Sequence, residues 1–417
     1  MHHKPVGKRP APGIIRALRT NIFPPWAPVL TDVAVVETSR WHHRLMDNEQ
    51  PTNLHDSSKP EGRAIKGRGA ASNPEGRFET IRHDAEDDGW SHELLDETAP
   101  RPRTEVTEER ARSVISRNDS PDIHFTQAIN PYRGCEHGCI YCYARPSHSY
   151  LNLSPGLDFE TKLRAKSNLA EVLRIDLAKR GYVVSPINIG SNTDPYQPIE
   201  KRWQLTRAAL QVLAECHHPC TIVTKNALVE RDLDILVPMA RENLVQVFVS
   251  VNSLDNQLAA KLEPRASAPH RRIKTILTLS DVGVPVGVLV APIIPALNDK
   301  DMEAVLAQAA EAGACCAGYT TLRLPYELKA LFREWLALHA PQRADHVMSL
   351  VQQMNAGRDY DSDFATRMRG QGVFADLLRR RFDIASRRHG YGRARELKLD
   401  SSRFVPPRKP SPQGDLF

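Results

Sequence analysis

Three cysteines lie within eight residues, at positions 135, 139 and 142 of the stretch NPYRGCEHGCIYCYARPSHSY, residues 130–150. Cysteine thiolates are the ligands of protein iron–sulfur clusters. A 4Fe–4S cube held by only three thiolates leaves one iron without a protein ligand, and such an iron can bind a small molecule and pass it an electron. Cys135, Cys139 and Cys142 therefore predict a loop that holds a reactive 4Fe–4S cluster.

The residues around these cysteines suit a tight loop, but two other interpretations remain open. Gly134 and Gly138 allow the unusual dihedral angles and close backbone approach of a loop folded around a cluster. His137 or His148 would instead complete a Cys₃His zinc site, although structural zinc sites usually take their ligands as two separated pairs. The third interpretation is a coincidence of buried cysteines, which the polar, glycine-rich surroundings disfavour.

The segments that position the cysteine loop alternate between strands and helices. Apolar, β-branched runs are followed by amphipathic segments six times between residues 120 and 340. This alternation predicts an α/β fold with parallel strands, a partial (β/α)6 TIM-type barrel. The active site of such a barrel lies at the C-terminal ends of its strands, and the cysteine loop directly follows the first strand. The predicted strands are 124–129, 183–189, 221–224, 245–251, 286–291 and 318–323, and the predicted helices are 160–180, 202–215, 230–242, 255–262, 269–282, 299–312 and 327–339.

Outside this barrel, residues 120–340, the chain divides by composition. Residues 1–75 are rich in Pro, Gly, Ser and Asn without a sustained apolar period, which predicts a disordered or loosely draped, low-order extension. Residues 76–119 are acidic and predict a leading extension, and translation could start at Met1 or at Met46. Residues 341–400 predict a basic helical C-terminal region with helices at 344–355 and 374–389, and residues 401–417 a flexible Pro-rich tail.

The cysteine motif resembles that of the radical S-adenosylmethionine (SAM) superfamily: CxxxCxxC with an aromatic residue, Tyr141, before the third cysteine. The stretches GSNTDPYQPIEKRWQLTR and VAPIIPALND also resemble the spore-photoproduct-lyase-like branch, often labelled DNA-repair photolyase. The resemblance implies a 4Fe–4S cluster and SAM as cofactors. It also implies reductive cleavage of SAM to a 5′-deoxyadenosyl radical, with an electron donor such as flavodoxin or ferredoxin.

The same resemblance implies positions for the residues around SAM. Tyr141 would lie against the adenine, and the end of the second strand would face the methionine part, namely Ser191, Asn192, Thr193 and Asp194. Lys225 at the end of the third strand and Ser250 on the fourth would lie near SAM, where a lysine suits its carboxylate and a hydroxyl its amine or ribose. The alternatives are a surface lysine, a core serine and an aspartate that only ends a strand.

The resemblance is incomplete at one position, and the catalytic residues are therefore left unknown. Spore photoproduct lyase uses a cysteine at the end of its second strand as a hydrogen donor, whereas the corresponding stretch here, NIGSNTDP, contains none. Tyr196 and Tyr319 are candidate donors. The other four cysteines follow helices at the opposite end of the barrel and are expected to be small core residues: Cys216, Cys220, Cys315 and Cys316.

Charge and the C-terminal tail point to nucleic acid as a partner. Residues 367–409 contain thirteen Lys/Arg and four Asp/Glu, a net charge of +9 in a chain whose net charge is +6. Such a region suits phosphate backbones, although a solvated helix face is the alternative. The terminal residues Gln413, Leu416 and Phe417 lie in QGDLF, which resembles a peptide that docks on the bacterial sliding clamp, and chance is the alternative.

These observations together predict a cytoplasmic radical SAM enzyme that acts on a DNA lesion or modified base. No apolar run is long enough to span a membrane, no secretory signal is visible, and seven cysteines argue against a disulfide framework. Two alternative functions stay open: a radical SAM enzyme for a protein, peptide or metabolite, and a non-catalytic iron–sulfur or metal-binding regulatory protein.

Overall fold

Ten strands form two sheets in the computed structural model, which describes residues 63–78, 102–391 and 398–407. The strands are β1 Glu105–Glu109, β2 Ile115–Arg117, β3 Gln127–Ile129, β4 Tyr132–Arg133, β5 Lys162–Lys166, β6 Ile187–Ile189, β7 Cys220–Thr224, β8 Val245–Ser250, β9 Val286–Ile293 and β10 Cys316–Thr321. The larger sheet has the order β10-β9-β8-β7-β6-β3-β2. Its first six strands in that order are parallel, and β2 pairs antiparallel with β3. This open parallel sheet confirms the predicted partial (β/α)6 barrel.

Helices cover the outer side of the larger sheet and bury its apolar side chains. The helices that contribute several side chains to its core are Leu169–Leu177, Leu205–Glu215, Leu233–Arg241, Pro269–Asp281, Met302–Glu311 and Gly372–Arg388. The other helices of the described residues are Asp158–Thr161, Glu200–Trp203, Asn256–Leu262, Leu328–His339 and Ala344–Met354. Strand residues such as Ile189, Ile222 and Val247 share one apolar core with helix residues such as Leu173 and Leu213. Each square ångström of apolar surface buried this way stabilises the fold by about 25 cal/mol. The hydrophobic period of each segment therefore decides whether it becomes a strand or a helix.

The inner face of the same sheet is only partly covered. Along β7 the buried Ile222 alternates with the half-buried Thr221 and Val223. Phe248 on β8, which pairs with Val223, and Leu289 on β9 are half-buried as well. Solvent therefore reaches the inside of the barrel, and a substrate could enter there.

The smaller sheet, with the order β1-β5-β4, corrects one of the sequence-based expectations. One helix was predicted over residues 160–180, but β5 occupies residues 162–166 and the following helix begins at Leu169. β1 and β2 lie in the stretch predicted to be a leading extension. β5 pairs in parallel with β1, far earlier in the chain, so its local hydrophobic period gives no sign of the pairing.

Part of the predicted disordered extension packs against the barrel. Arg68, Gly69 and Ala70 are buried, and the Gly69 and Ala70 N–H groups donate to the carboxylate of Glu160 at 3.0 and 2.9 Å. The Arg77 guanidinium also lies 2.8 Å from a carboxylate oxygen of Glu327. Residues 68–70 of the predicted low-order extension, and Arg77 just beyond it, are therefore held by partners that lie elsewhere in the chain.

The C-terminal region contains the two predicted helices, now bounded as Ala344–Met354 and Gly372–Arg388. The possible clamp-docking residues Gln413, Leu416 and Phe417, and both candidate start residues, lie outside the described residues. No helix in the described part of the chain is long and apolar enough to cross a membrane. The five domain boundaries drawn from composition stay predictions.

Candidate functional site

The cysteine loop begins after β3, at the C-terminal edge of the parallel sheet. The Cys135 N–H donates to the Phe159 carbonyl at 2.9 Å, and the Ile140 N–H donates to the Leu262 carbonyl at 3.1 Å. Cys135 and Cys139 are buried and Cys142 is half-buried. The three thiols thus occupy the end of the barrel at which active sites of this architecture lie.

Two glycines shape this loop. Gly134 and Gly138 have φ angles of 78° and 67°, in the left-handed region that favours glycine. A Cβ atom on Gly134 would lie 2.8 Å from the Phe159 carbonyl oxygen, and one on Gly138 would lie 2.6 Å from a carboxylate oxygen of Glu160. Both glycines are therefore needed for the loop to lie directly against the helix Asp158–Thr161.

A fully buried ion pair supports the loop from behind. The Arg145 Nη2 lies 2.5 Å from the Glu160 Oε1. Arg145 also donates to the carbonyls of Gly138 and Cys139, at 3.1 and 2.9 Å. A buried pair is stable only when further hydrogen bonds satisfy both partners. The Arg145–Glu160 pair has these further bonds, and through them Arg145 holds the loop backbone at Gly138 and Cys139.

The thiols themselves form a donor set that suits an iron–sulfur cluster. Burial raises the pKa of Cys139 well above its usual range, and the Lys225 ammonium opposes that rise. Burial also raises the pKa of Cys142, and the neighbouring Cys135 thiol adds to the increase. Three thiolates in this place need a positive centre to balance them, which the irons of a cluster supply.

Each of the two histidines of the zinc alternative contacts another group through its Nε2 atom. The His137 Nδ1 lies 3.3 Å from Asp194 Oδ2, and its Nε2 lies 3.1 Å from the Asn226 side-chain nitrogen. The His148 Nε2 lies 2.9 Å from the Lys162 carbonyl oxygen, and burial lowers the pKa of His148 to about 4. Within the described ranges no three His, Cys, Asp or Glu side chains, the cysteines of this loop included, converge on a single metal ion. The thiolates of a cluster bind separate irons, so this observation concerns a mononuclear zinc site and not a cluster.

Asp194 connects the cysteine loop to the ends of β6 and β7. Its Oδ1 accepts hydrogen bonds from the Thr224 hydroxyl at 2.7 Å and the Tyr196 N–H at 2.9 Å. Its Oδ2 accepts one from the Lys225 N–H at 2.8 Å and faces His137. Burial would raise the pKa of Asp194, but His137 and these bonds lower it to about 2. Both carboxylate oxygens of Asp194 thus accept hydrogen bonds from other residues of the chain. The contact of Asp194 with SAM stays a prediction.

The His137–Asp194 pair also raises the pKa of His137. Burial by itself would lower that pKa, but Asp194, and then the Cys135 thiol, raise it to about 9. His137 therefore carries a proton near neutral pH, between a carboxylate and the first cysteine.

Tyr141 and Lys225 lie together next to the cysteines. The buried Tyr141 hydroxyl donates to Glu263, which also forms a buried ion pair with Arg272. The Lys225 Nζ lies 5.9 Å from the centroid of the Tyr141 ring. Ser250 is buried at the end of β8, where its carbonyl accepts a hydrogen bond from Arg272 at 3.0 Å. The structure thus places Lys225 beside Tyr141 and connects Ser250 to Tyr141 through Arg272 and Glu263.

The segment after β6 forms the neighbouring part of the rim. Ser191 accepts a hydrogen bond from the Asn130 amide at 3.0 Å, and the exposed Asn192 donates its N–H to Asn130 Oδ1 at 2.8 Å. The Thr193 hydroxyl donates to the Gly134 carbonyl at 2.7 Å. Thr193 therefore ties this rim to the cysteine loop, while Ser191 and Asn192 are more accessible.

Comparison with known proteins gives a family for this arrangement. The family model described as the radical SAM superfamily matches residues 129–309, from the end of β3 to the helix before β10. The uncharacterized protein Rv2578c of Mycobacterium tuberculosis is 35% identical over 232 residues, which cover 55% of this chain and 68% of that protein. The chain belongs to the radical SAM superfamily. Enzymes of this superfamily use SAM and an iron–sulfur cluster.

Other similarities to this radical SAM chain are more distant. The uncharacterized protein MJ0683 of Methanocaldococcus jannaschii is 29% identical over 199 residues, covering 48% of this chain and 71% of that one. Among solved structures, spore photoproduct lyase complexed with dinucleoside spore photoproduct aligns with a TM-score of 0.43 and 17% identity. That alignment covers 68% of this chain and 77% of the lyase.

Several residues of this radical SAM site were not anticipated from the sequence. Asn252 is buried just beyond β8; its amide donates to the Tyr141 hydroxyl at 3.3 Å, and its Oδ1 has no partner among the described residues. Its place after the end of a barrel strand is a signal that could have found it. The pairs Arg145–Glu160 and Arg272–Glu263 have no such signal, because their partners meet only in the folded chain.

The two candidate hydrogen donors, Tyr196 and Tyr319, belong to the apolar core between the larger sheet and its outer helices. The Tyr196 hydroxyl donates to Asp232 at 3.1 Å, and the Tyr319 ring packs against Phe382 with centroids 4.7 Å apart. The geometry therefore supports neither as a group that faces the radical SAM site.

The four remaining cysteines only partly match the expectation of small core residues. Cys216, Cys220 and Cys316 are buried, but Cys315 is exposed, which corrects the expectation for this residue. Cys315 directly precedes β10, where its neighbour Cys316 is turned inward next to Gln246. Successive side chains of a strand point to opposite faces, so only one of two adjacent cysteines can share that interior.

Proposed function

We propose that this chain is a radical SAM enzyme that holds a 4Fe–4S cluster with Cys135, Cys139 and Cys142 and acts on nucleic acid. The observation that carries the proposal is the glycine-backed loop of three thiols at the mouth of an open barrel, in a chain of this superfamily. When bound, the cluster supplies the electron that splits SAM into methionine and a 5′-deoxyadenosyl radical. A flavodoxin or a ferredoxin is the proposed source of that electron.

The residues of the chain divide the binding of SAM between them. Tyr141, fixed by its hydrogen bond to Glu263, would lie against the adenine. Lys225, whose Nζ lies beside the Tyr141 ring, would pair with the SAM carboxylate. Ser250 and residues 191–193 would bind the amine and the ribose. Asp194 would act through Lys225, since it accepts the N–H of that residue and so fixes where its side chain begins.

Apolar packing on one side of the loop would protect this chemistry from water. Cys139, Ile140 and Tyr141 pack in one apolar cluster with side chains that include Leu324 and Trp335. Reactive intermediates survive longer where water is excluded. The half-buried inner face of the sheet is the side left for a substrate.

Nucleic acid is the proposed substrate because of the charge near the C-terminus. The helix Gly372–Arg388 carries exposed arginines, among them Arg380, Arg387 and Arg388. Guanidinium groups suit backbone phosphates. The resemblance of the motifs to the photolyase-like branch narrows the proposal to a DNA lesion or a modified base. The identity of the hydrogen donor is left open.

The deciding experiment is anaerobic reconstitution with iron and sulfide, followed by dithionite reduction and an assay for 5′-deoxyadenosine. We expect SAM cleavage by the wild-type protein and none by Cys139→Ala. Cys220→Ala, which removes a buried cysteine at the other end of the barrel, is the matched control and should keep the activity.

The substrate class is tested by repeating the assay with DNA that carries defined lesions. Nucleic acid as substrate predicts that such DNA changes the rate of SAM cleavage or is itself converted. A reconstituted wild-type protein that never cleaves SAM would leave only a metal-binding role for the cysteine loop.

A further inference from the structure

Arg323 is a cation beside the cysteine loop that has no carboxylate partner among the described residues. It follows the end of β10, two residues after Thr321, and is half-buried. Its Nη1 makes one weak hydrogen bond, 3.5 Å from the Met368 sulfur, and its buried Nε has no partner within the described ranges. The guanidinium lies over the ring of Tyr143, 5.2 Å from the centroid.

Tyr143 places this cation at the mouth of the barrel. It directly follows Cys142, it is 46% exposed, and its hydroxyl donates to the Ser191 carbonyl after β6. Arg323 therefore lies on an accessible wall next to the cysteines, and not within the apolar core.

Three other arginines near the mouth are neutralised. Arg367 forms two hydrogen bonds with the Asp122 carboxylate, at 2.5 and 2.6 Å, and both side chains are nearly buried. Arg145 and Arg272 are each paired with a buried glutamate. Burying a hydrogen-bond donor without a partner costs about 1–3 kcal/mol, and more for a charged group. Of these four arginines, only Arg323 has a buried N–H without a partner among the described residues.

We infer that Arg323 binds an oxyanion of the substrate, a backbone phosphate of the nucleic acid strand that enters the barrel. This inference rests on the proposed function. The carboxylate of SAM is the other oxyanion that could reach the mouth. Lys225, which directly follows β7 and lies near Cys139, is the residue proposed for that carboxylate, whereas Arg323 follows β10, an edge strand three positions away from β7 in the sheet. A planar guanidinium stacked on an aromatic ring is well suited to a phosphate, which it can contact with two N–H groups.

The test uses the full-length reconstituted protein and a fluorescent single-stranded oligonucleotide. Arg323→Met is expected to weaken binding about tenfold and to lower the slope of log affinity against log salt by about one. Arg323→Lys keeps the charge and should keep the slope. Arg174→Gln changes the net charge equally on an exposed outer helix, and it should change neither quantity.

Thermal unfolding of the same variants separates a binding role from a structural one. Because Arg323 has no carboxylate partner among the described residues and leaves a buried N–H unpaired, Arg323→Met should unfold at the wild-type temperature or above. A clear fall in unfolding temperature would mean that the arginine supports the fold, and would overturn the inference.

Three binding results would also overturn it, and they differ in what they leave standing. Unchanged oligonucleotide binding by Arg323→Met removes the phosphate contact but leaves nucleic acid as the substrate class. Weaker SAM binding by this variant in equilibrium dialysis, with oligonucleotide binding unchanged, assigns Arg323 to the SAM carboxylate. Failure of the wild-type protein to bind the oligonucleotide at low salt removes the nucleic-acid part of the proposed function, and the phosphate assignment with it.

Discussion

The cysteines at the two ends of the barrel have the same side chain and very different surroundings. At the C-terminal end, three share a loop with two glycines, a buried ion pair and a buried His–Asp pair. At the opposite end, Cys216 and Cys220 lie in the apolar core, and burial alone raises the pKa of Cys220 to about 12. The difference shows that chemistry follows from the groups placed around a thiol. A buried cysteine without them is a small apolar residue.

The same contrast extends to what holds each end together. The cysteine loop depends on Arg145, Glu160, Arg272 and Glu263, charged groups that are costly to bury. The opposite end depends on aliphatic packing. Buried ion pairs add little stability compared with apolar side chains of the same volume, but removing one partner is strongly destabilising. We infer that the loop uses them for position, since a ligand set must hold its geometry whether or not the metal is bound.

The largest expected effect comes from replacing one cysteine by alanine at each end of the barrel and comparing the two variants. Cys142→Ala should lose bound iron and sulfide after anaerobic reconstitution, because the cluster then has two thiolates. Cys216→Ala should keep both and lose only about 1 kcal/mol of unfolding free energy. Iron and sulfide analysis of the two proteins side by side checks this. Full iron content in Cys142→Ala would show that this thiol is not a ligand.

The second-largest expected effect is on the unfolding free energy, when the buried Arg145–Glu160 pair that supports the cysteine loop is broken. Glu160→Gln leaves the Arg145 charge buried without its carboxylate and should reduce the unfolding free energy by about 3–5 kcal/mol. Glu215→Gln breaks the exposed pair with Arg174 and should change it by about 0–1 kcal/mol. Urea unfolding of both variants gives the comparison, and equal losses would contradict the role given to the buried pair.

A buried histidine at the opposite end should make stability depend on pH. Burial lowers the pKa of His218 to about 4, whereas its ordinary value is 6.5. Below pH 6.5 the unfolded chain gains a proton that the folded chain does not. The unfolding free energy should therefore fall as the pH decreases from about 6.5 to about 4, by at most about 3 kcal/mol.

Two histidine variants isolate this contribution. Unfolding measured across that pH range should show a shallower slope for His218→Gln than for the wild-type protein. The exposed His270→Gln should leave the slope as it is. An unchanged slope in His218→Gln would mean that His218 is charged in the folded state.

The smallest effect concerns SAM. Lys225→Met should raise the dissociation constant of SAM about tenfold, the loss of one charge-assisted hydrogen bond, and leave the iron content unchanged. Lys274→Met, on the exposed side of an outer helix, should change neither. Equilibrium dialysis of the reconstituted proteins measures it. Loss of iron in Lys225→Met would place the lysine in the support of the cluster loop.

The sequence by itself determined the barrel and the loop that carries the thiols. Each barrel strand and helix has a hydrophobic period that is complete within its own residues, so the six parallel strands could be predicted individually. The three cysteines are close in sequence and must therefore be close in space. The positions predicted for Tyr141, Lys225 and Ser250 rest instead on the resemblance of the motifs to the radical SAM superfamily, and their contacts with SAM stay predictions.

Only the tertiary structure decided which groups surround those residues. β5 became a strand because β1, much earlier in the chain, pairs with it. Glu160 meets Gly69 and Ala70, and Arg367 meets Asp122, across long stretches of sequence. Pairings of this kind depend on how distant segments are brought together, and no period or motif within either segment records the partner. The isolated charge of Arg323 became visible for the same reason, because the absence of a partner is a property of the folded surroundings.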